Sequence, residues 1–184
     1  MTRRLLLLLG ALLLGACAGK TTVESDLGIS GAPDWVNEGT QYLYDGKGRR
    51  FHGVGQAPPM GDEALQISTA DNRARAELAR ILSSYLDVAS QDYAAASGQG
   101  EQAVNRQAVS RQIRNLTRVN LTGARIIGRW KDEKTGVIYA IAELDLDTVK
   151  DLTSQVREMN ADLQRYIVEQ GQNTFDRLAR EAQP

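Results

Sequence analysis

Cysteine and histidine are almost missing from this 184-residue chain, with Cys17 and His52 the single examples of each. One cysteine excludes an intrachain disulfide, so whatever folds must be held by its core. One histidine and one cysteine exclude a cluster of soft ligands for zinc or copper, and neither a metal nor another cofactor is expected. A Ser-His-Asp arrangement could use only His52, and no serine stands in a G-x-S-x-G elbow. His52 therefore reads as an ordinary strand residue alternating with Val54. Gly53-Val54-Gly55 looks at first like a phosphate loop, but Pro58 and Pro59 occupy the place where helix amides would be needed. These glycines read instead as strand positions that admit a close helix. No catalytic residue is nominated, and the chain reads as not an enzyme. Long apolar runs are scarce too: Leu5 to Leu14 spans roughly ten residues, where a bilayer-spanning helix needs about 20.

That short run follows Arg3 and Arg4 and ends in Leu14-Gly15-Ala16-Cys17, the layout of a secretory signal. The last four residues resemble the lipobox of bacterial lipoproteins. The resemblance implies cleavage before Cys17, a diacylglyceryl thioether on its sulfur and an acyl chain on its new α-amine. Ala18 stands where, in that family, an Asp would retain the protein in the inner membrane, so the periplasmic leaflet of the outer membrane is implied. One acyl chain holds a protein only marginally, because each buried CH₂ contributes about 0.8 kcal/mol; three chains amount to a lasting anchor. A plain secreted protein with a free thiol is the alternative.

Removing residues 1–16 takes Arg3 and Arg4 from 22 basic residues and leaves 20 against 23 acids, a net charge of −3. This near-neutral balance argues against nucleic acid as a partner. The mature length fits one domain. Residues 17–32 carry Gly, Ser, Thr and scattered charge without an apolar period and read as the lipidated cysteine and a flexible tether. The folded part opens at Pro33. Gln41–Tyr44 and Arg49–Ala57 flank a Gly-rich turn and read as a hairpin. Asp62 is a candidate N-cap for a long amphipathic helix whose stripe is Ile67, Ala70, Ala74, Leu78, Ile81, Leu82, Tyr85 and Ala89. Asp71 falls on the wet side of that stripe. A second helix is expected over about 101–118, with Val109, Ile113 and Leu116 buried. Residues 122–130 and 137–144 read as a second hairpin, its second strand central in the sheet. From a cap at Asp147, Val149, Leu152, Val156, Met159, Leu163 and Tyr166 predict one long C-terminal helix, packed on the sheet in preference to a coiled coil. The expected fold class is α+β: a small antiparallel sheet of about four strands packed with two helices, plus that C-terminal helix. The expected division is 1–16 signal, 17–32 tether, 33–150 domain and 151–184 helix.

Pro33-Asp34-Trp35-Val36, Gly53-Val54-Gly55, Ala74-Arg75-Ala76-Glu77-Leu78-Ala79, and Thr135-Gly136 leading into Tyr139-Ala140 and Leu144-Asp145 follow the lipobox in order. Together they resemble the LPP-twenty family of bacterial lipoproteins over about residues 33–150. The resemblance implies a membrane-associated protein without established catalytic residues, with relatives that form outer-membrane structures at flagella. Cys17 is the one residue whose role it carries over.

Between Glu101 and Asp132 the chain contains no acid, while Arg106, Arg111, Arg114, Arg118, Arg125, Arg129 and Lys131 fall there. Arg111, Arg114 and Arg118 share a helix face by spacing, and Arg125, Arg129 and Lys131 share one side of a strand. These arginines form the candidate interaction patch for anionic headgroups or an acidic partner. The competing and favoured reading pairs them with the acid-rich segment from Asp132 to Glu169, within the chain or in a neighbouring subunit. Asp147 reads as a cap, Glu143 and Asp145 as solvent-facing alternates. The expected function is a non-enzymatic structural or assembly module of the cell envelope, lipid-anchored, with a homo-oligomer or an envelope protein as partner. The alternative is a tethered binding module that regulates a periplasmic machine such as a cell-wall synthase.

Overall fold

The computed structural model describes residues 28–44, 48–96, 114, 123–154 and 159–181, with 41–44 described by backbone alone. The elements run α1 (Asp34–Glu38), β1 (Gln41–Tyr44), β2 (Arg49–Ala57), α2 (Glu63–Ala96), β3 (Arg125–Lys131), β4 (Ile138–Asp145), α3 (Leu146–Ser154) and α4 (Ala161–Glu181). The fold is α+β, as expected. Its four strands form one antiparallel sheet in the order β1-β2-β4-β3, so each sequence hairpin survives and β4 is central. The expected second helix, with Val109, Ile113 and Leu116, lies outside the described residues, apart from the helical, exposed Arg114.

One face of the sheet seats α2, a helix of 34 residues and therefore about 51 Å long. The seat is built from small residues: Gly53 pairs with Ala142 and Gly55 with Ala140 across β2 and β4. A Cβ on Gly53 would lie 2.4 Å from the Ala74 carbonyl oxygen, and one on Gly55 2.2 Å from the Ala74 amide nitrogen. Strand and helix backbones thus touch directly, which is why glycine is required at both positions. The helix starts where Asp62 Oδ1 accepts from the Leu65 amide at 3.0 Å. Its buried stripe includes Ala70, Ala74, Leu78, Ile81, Leu82, Tyr85 and Ala89, as the periodicity predicts. Buried Gln66, which no apolar pattern flags, donates to the Ala57 carbonyl at 3.0 Å and the Gly136 carbonyl at 2.8 Å, tying the first turn of α2 to the ends of β2 and β4.

The C-terminal half corrects the sequence reading in two places. The described residues of the stripe divide between two helices, Val149 and Leu152 on α3 and Leu163 and Tyr166 on the long C-terminal α4, with Met159 between them and Val156 outside the described residues. Asn160 provides the restart, because its Oδ1 accepts from the Asp162 and Leu163 amides, each at 3.0 Å; a short amide side chain competes with a continuing helix in this way. The cap of α3 is Asp145, not Asp147. Strand passes into helix without a loop, and the Asp145 carboxylate accepts from the Thr148 amide at 2.7 Å and its hydroxyl at 2.9 Å. Asp147 falls in the first turn, where an acid suits the helix dipole. Leu163, Ile167, Phe175 and Ala179 of α4 join the core formed by α2 and the sheet, so the tail packs on the body as expected. Phe51 lies edge-on to Tyr85 at 5.1 Å and to Phe175 at 4.9 Å, at the meeting point of β2, α2 and α4.

Candidate functional site

The sheet face opposite α2 holds the polar residues that sequence reasoning weighed for chemistry. Alternation along β2 and β4 sends Phe51, Gly53, Gly55 and Ala57 toward the helix and His52, Val54 and Gln56 away from it. At one register level Gln41, His52, Glu143 and Arg125 stand side by side across all four strands. Glu143 is 7% and His52 4% exposed. His52 Nε2 is 3.1 Å from Glu143 Oε2, Arg125 Nη2 donates to Glu143 Oε1 at 3.0 Å, and Arg50 Nη1 stands 3.7 Å from Oε2. Glu143 is therefore not a solvent-facing alternate. A carboxylate can be buried when cations and donors surround it, and these donors come from the strands on either side. The result is an ion-pair knot that fixes the register of β2, β4 and β3. The guanidinium groups of Arg125 and Arg50 more than offset the single negative charge of this carboxylate.

The candidate arginine patch does not stand on one surface. A register shift between Ile126 and Gly128 marks a β-bulge in β3, and one extra residue reverses the side on which later residues point. Arg125 reaches Glu143 on the face away from α2, whereas Arg129 and Lys131 turn toward that helix. Arg129 forms a two-pronged pair with Asp71, at 2.7 and 2.6 Å, and hydrogen bonding to Asp71 raises the pKa of its guanidinium. Lys131 Nζ lies 3.5 Å from Glu63 Oε2. Asp71, expected on the wet side of α2, is buried as the partner of Arg129. The internal-pairing reading holds for these three cations, but two of the three acids come from α2 and not from the segment after Asp132. Arg111 and Arg118 lie outside the described residues, and Arg114 is exposed.

Asp132 organises the turn between β3 and β4. Its carboxylate accepts from the Thr135 hydroxyl at 2.5 Å and the Lys134 amide at 2.9 Å, and these bonds, the hydroxyl's first, hold its pKa below the usual carboxylate range. Next to this turn, Trp130 and Tyr139 face one another across β3 and β4 with centroids 5.6 Å apart. Trp35 lies across the same sheet face, within about van der Waals reach of a Cβ at Gly128. Its helix is fixed at the far end by Asn37, whose Oδ1 accepts from the Ile29 amide at 2.9 Å. The ordered body thus reaches back to Ile29, inside the stretch that composition assigns to the tether.

Among the described residues no group of three or more His, Cys, Asp or Glu side chains is placed to hold a metal ion, and no described helix is long and apolar enough to cross a membrane. Cys17 lies outside the described residues. The features that sequence reasoning missed are the burial of Glu143 and Asp71 and the role of Gln66. Each depends on a partner in a distant element, for which an alternating or helical pattern carries no signal. No family model matches this chain, and no curated protein matches it.

Proposed function

We propose that this chain is a lipoprotein resembling the LPP-twenty family, held by acylated Cys17 in the periplasmic leaflet of the outer membrane, whose α+β body serves as a non-enzymatic structural or assembly module of the envelope. The observation that carries the reading is Leu14-Gly15-Ala16-Cys17 at the end of a short apolar run behind two arginines. The body supports it by the work its motif residues do. Gly53 and Gly55 seat α2, Ala74 and Leu78 meet them, Asp145 caps α3, and Trp35 packs over Gly128 on the second sheet face. These positions account for their residue types through packing and capping, without any chemistry. Charged side chains near the sheet follow the same pattern: the buried carboxylates of Glu143 and Asp71 are engaged by Arg125 and Arg129, whose side chains reach in from the surface.

The test is mass spectrometry of protein purified from its own membranes, together with flotation of the membrane fraction. Three acyl chains on an N-terminal Cys17 peptide are expected, with loss of membrane association in Cys17→Ser. An unacylated terminus, or a freely soluble native protein, would overturn the reading.

A further inference from the structure

The described residues expose four large apolar side chains: Met60 at 43%, Leu65 at 50%, Ile127 at 48% and Val168 at 38%. Three of them border one end and edge of the sheet. Met60 follows exposed Pro58 and Pro59 at the end of β2, Leu65 lies in the first turn of α2, and Ile127 is the bulged residue of edge strand β3. The half-buried pair Trp130 and Tyr139 stands between Ile127 and the Pro58-Pro59 segment, which abuts the β3–β4 turn at Gly136. We propose that this aromatic and apolar patch, centred on Trp130, Tyr139, Ile127 and Met60, is a second, non-covalent membrane contact that rests in the headgroup layer of a zwitterionic bilayer. The inference rests on the anchor reading above and names the face that the anchored body turns to the membrane.

Three observations point to a lipid surface. Tryptophan and tyrosine combine an apolar body with a polar tip and favour the membrane–water boundary, and here they are flanked by apolar side chains already exposed. The chain toward Cys17 leaves the described body at Gly28, beside Asn37 of α1 on the same sheet face as Trp130. Ten residues lie between Gly28 and Cys17, so the two cannot be more than about 40 Å apart even at full extension, less than the roughly 51 Å length of α2. A short leash therefore favours the face from which it departs. A tethered contact is intramolecular, so a weak patch is enough to orient the body. The exposed charges near the patch are in balance, with Arg125, Arg129, Lys131 and Lys134 against Asp34, Asp62, Glu63 and Glu133, which suits zwitterionic headgroups and not a strongly anionic surface.

The chain's two tryptophans, Trp35 and Trp130, both lie on this face, so its intrinsic emission reports the contact. Full-length acylated protein is placed on phosphatidylcholine vesicles with plain or brominated acyl chains, with Trp35→Phe isolating Trp130. The expected result is a loss of Trp130 emission on the brominated vesicles, unchanged by added salt. Ile127→Glu combined with Met60→Glu should restore that emission. Both side chains are already exposed, so the far-ultraviolet circular dichroism should stay that of the parent. Equal emission on the two vesicle types, from protein that floats with them, overturns the docking face and leaves the anchor reading standing. Quenching that disappears in high salt also overturns it, in favour of an electrostatic contact. Protein that fails to float overturns the anchor reading and this one with it.

Discussion

Gly171 lies in the middle of α4, where an ordinary helix would be strengthened by alanine, yet here the same change should weaken the protein. A Cβ at Gly171 would lie 2.6 Å from the Tyr85 hydroxyl oxygen, while the Tyr85 Cζ is at 3.9 Å. Tyr85 is fully buried and its hydroxyl donates to the Gly171 carbonyl at 2.9 Å, so it cannot swing aside. Overpacking of this kind costs about 1–3 kcal/mol, against a gain of about 1 kcal/mol from replacing a helical glycine. Gly171→Ala should therefore be destabilising by up to about 2 kcal/mol. Tyr85→Phe alone should cost about 1 kcal/mol for the lost buried hydrogen bond. With the hydroxyl gone, the contact at 3.9 Å is ordinary, and Gly171→Ala on the Tyr85→Phe background should stabilise by about 1 kcal/mol. The sign of one substitution thus reverses with the loss of one oxygen atom. Urea titrations of the four proteins of this cycle, compared by midpoint at constant slope, measure the reversal. Effects that add within about 0.5 kcal/mol, or a Gly171→Ala that stabilises both backgrounds, would refute the packing argument.

Gly55→Ala should be worse, because its Cβ would meet the α2 backbone at 2.2 Å from Ala74 and 2.6 Å from Arg73. Backbone cannot rotate away as a side chain can, so a loss of about 3 kcal/mol or more is expected, visible as a collapsed near-ultraviolet spectrum or a strongly lowered melting temperature. Glu143→Ala removes the carboxylate that Arg125 and His52 share and should cost about 1–3 kcal/mol by urea titration, since the Arg125 side chain is 71% exposed and can turn to water; a change within error would show that the knot is not holding the strands. Hydrogen bonding from Arg49 holds Asp176 below its usual 3.8, and hydrogen bonding from Arg80 holds Glu77 below 4.5. Both acids are lowered on folding, so their contribution is present above those unfolded values and is lost as pH falls through the lower folded ones. Stability should decline on acidification below about pH 4.5, and Arg49→Ala should flatten the Asp176 part of that decline in pH-dependent melts.

The elements whose evidence is local were legible in the sequence. The α2 stripe, the Asp62 cap, the two hairpins and the closeness of Gly53 and Gly55 to a helix all follow from period, turn residues and side-chain size. Central placement of β4 was legible too, because Ile138, Ala140 and Ile141 make its run apolar on alternate and adjacent positions, as burial on both faces requires. What escaped was set by partners far along the chain. Asp71 looks like a solvated residue of α2 until Arg129, 58 residues later, is turned toward it by a bulge. Glu143 looks like an outward alternate until His52, 91 residues earlier, stands opposite. The break before α4 was missed because the heptad-like spacing of Met159 and Leu163 runs through it, while Asn160 has a local alternative to helix that spacing does not record.

These long-range pairs suggest how a chain with one cysteine secures a thin body. A four-stranded sheet with its helices chiefly on one side buries one face deeply and leaves its margins to polar contacts. Arg129 with Asp71 joins β3 to α2, Arg49 with Asp176 joins β2 to α4, and Arg177 with Asp92 joins α4 to the far end of α2. Each closes a margin where the apolar core of Phe51, Leu82 and Phe175 runs out. Half-exposed pairs contribute about 1 kcal/mol or less apiece, so they add little to the gross stability that burial provides. Their geometry matters more: a planar guanidinium on a carboxylate accepts one register and one helix rotation. Gly53, Gly55, Ala140 and Ala142 bring the α2 backbone onto the sheet, and the pairs of Asp71 with Arg129 and Asp92 with Arg177 fix its rotation toward its two ends.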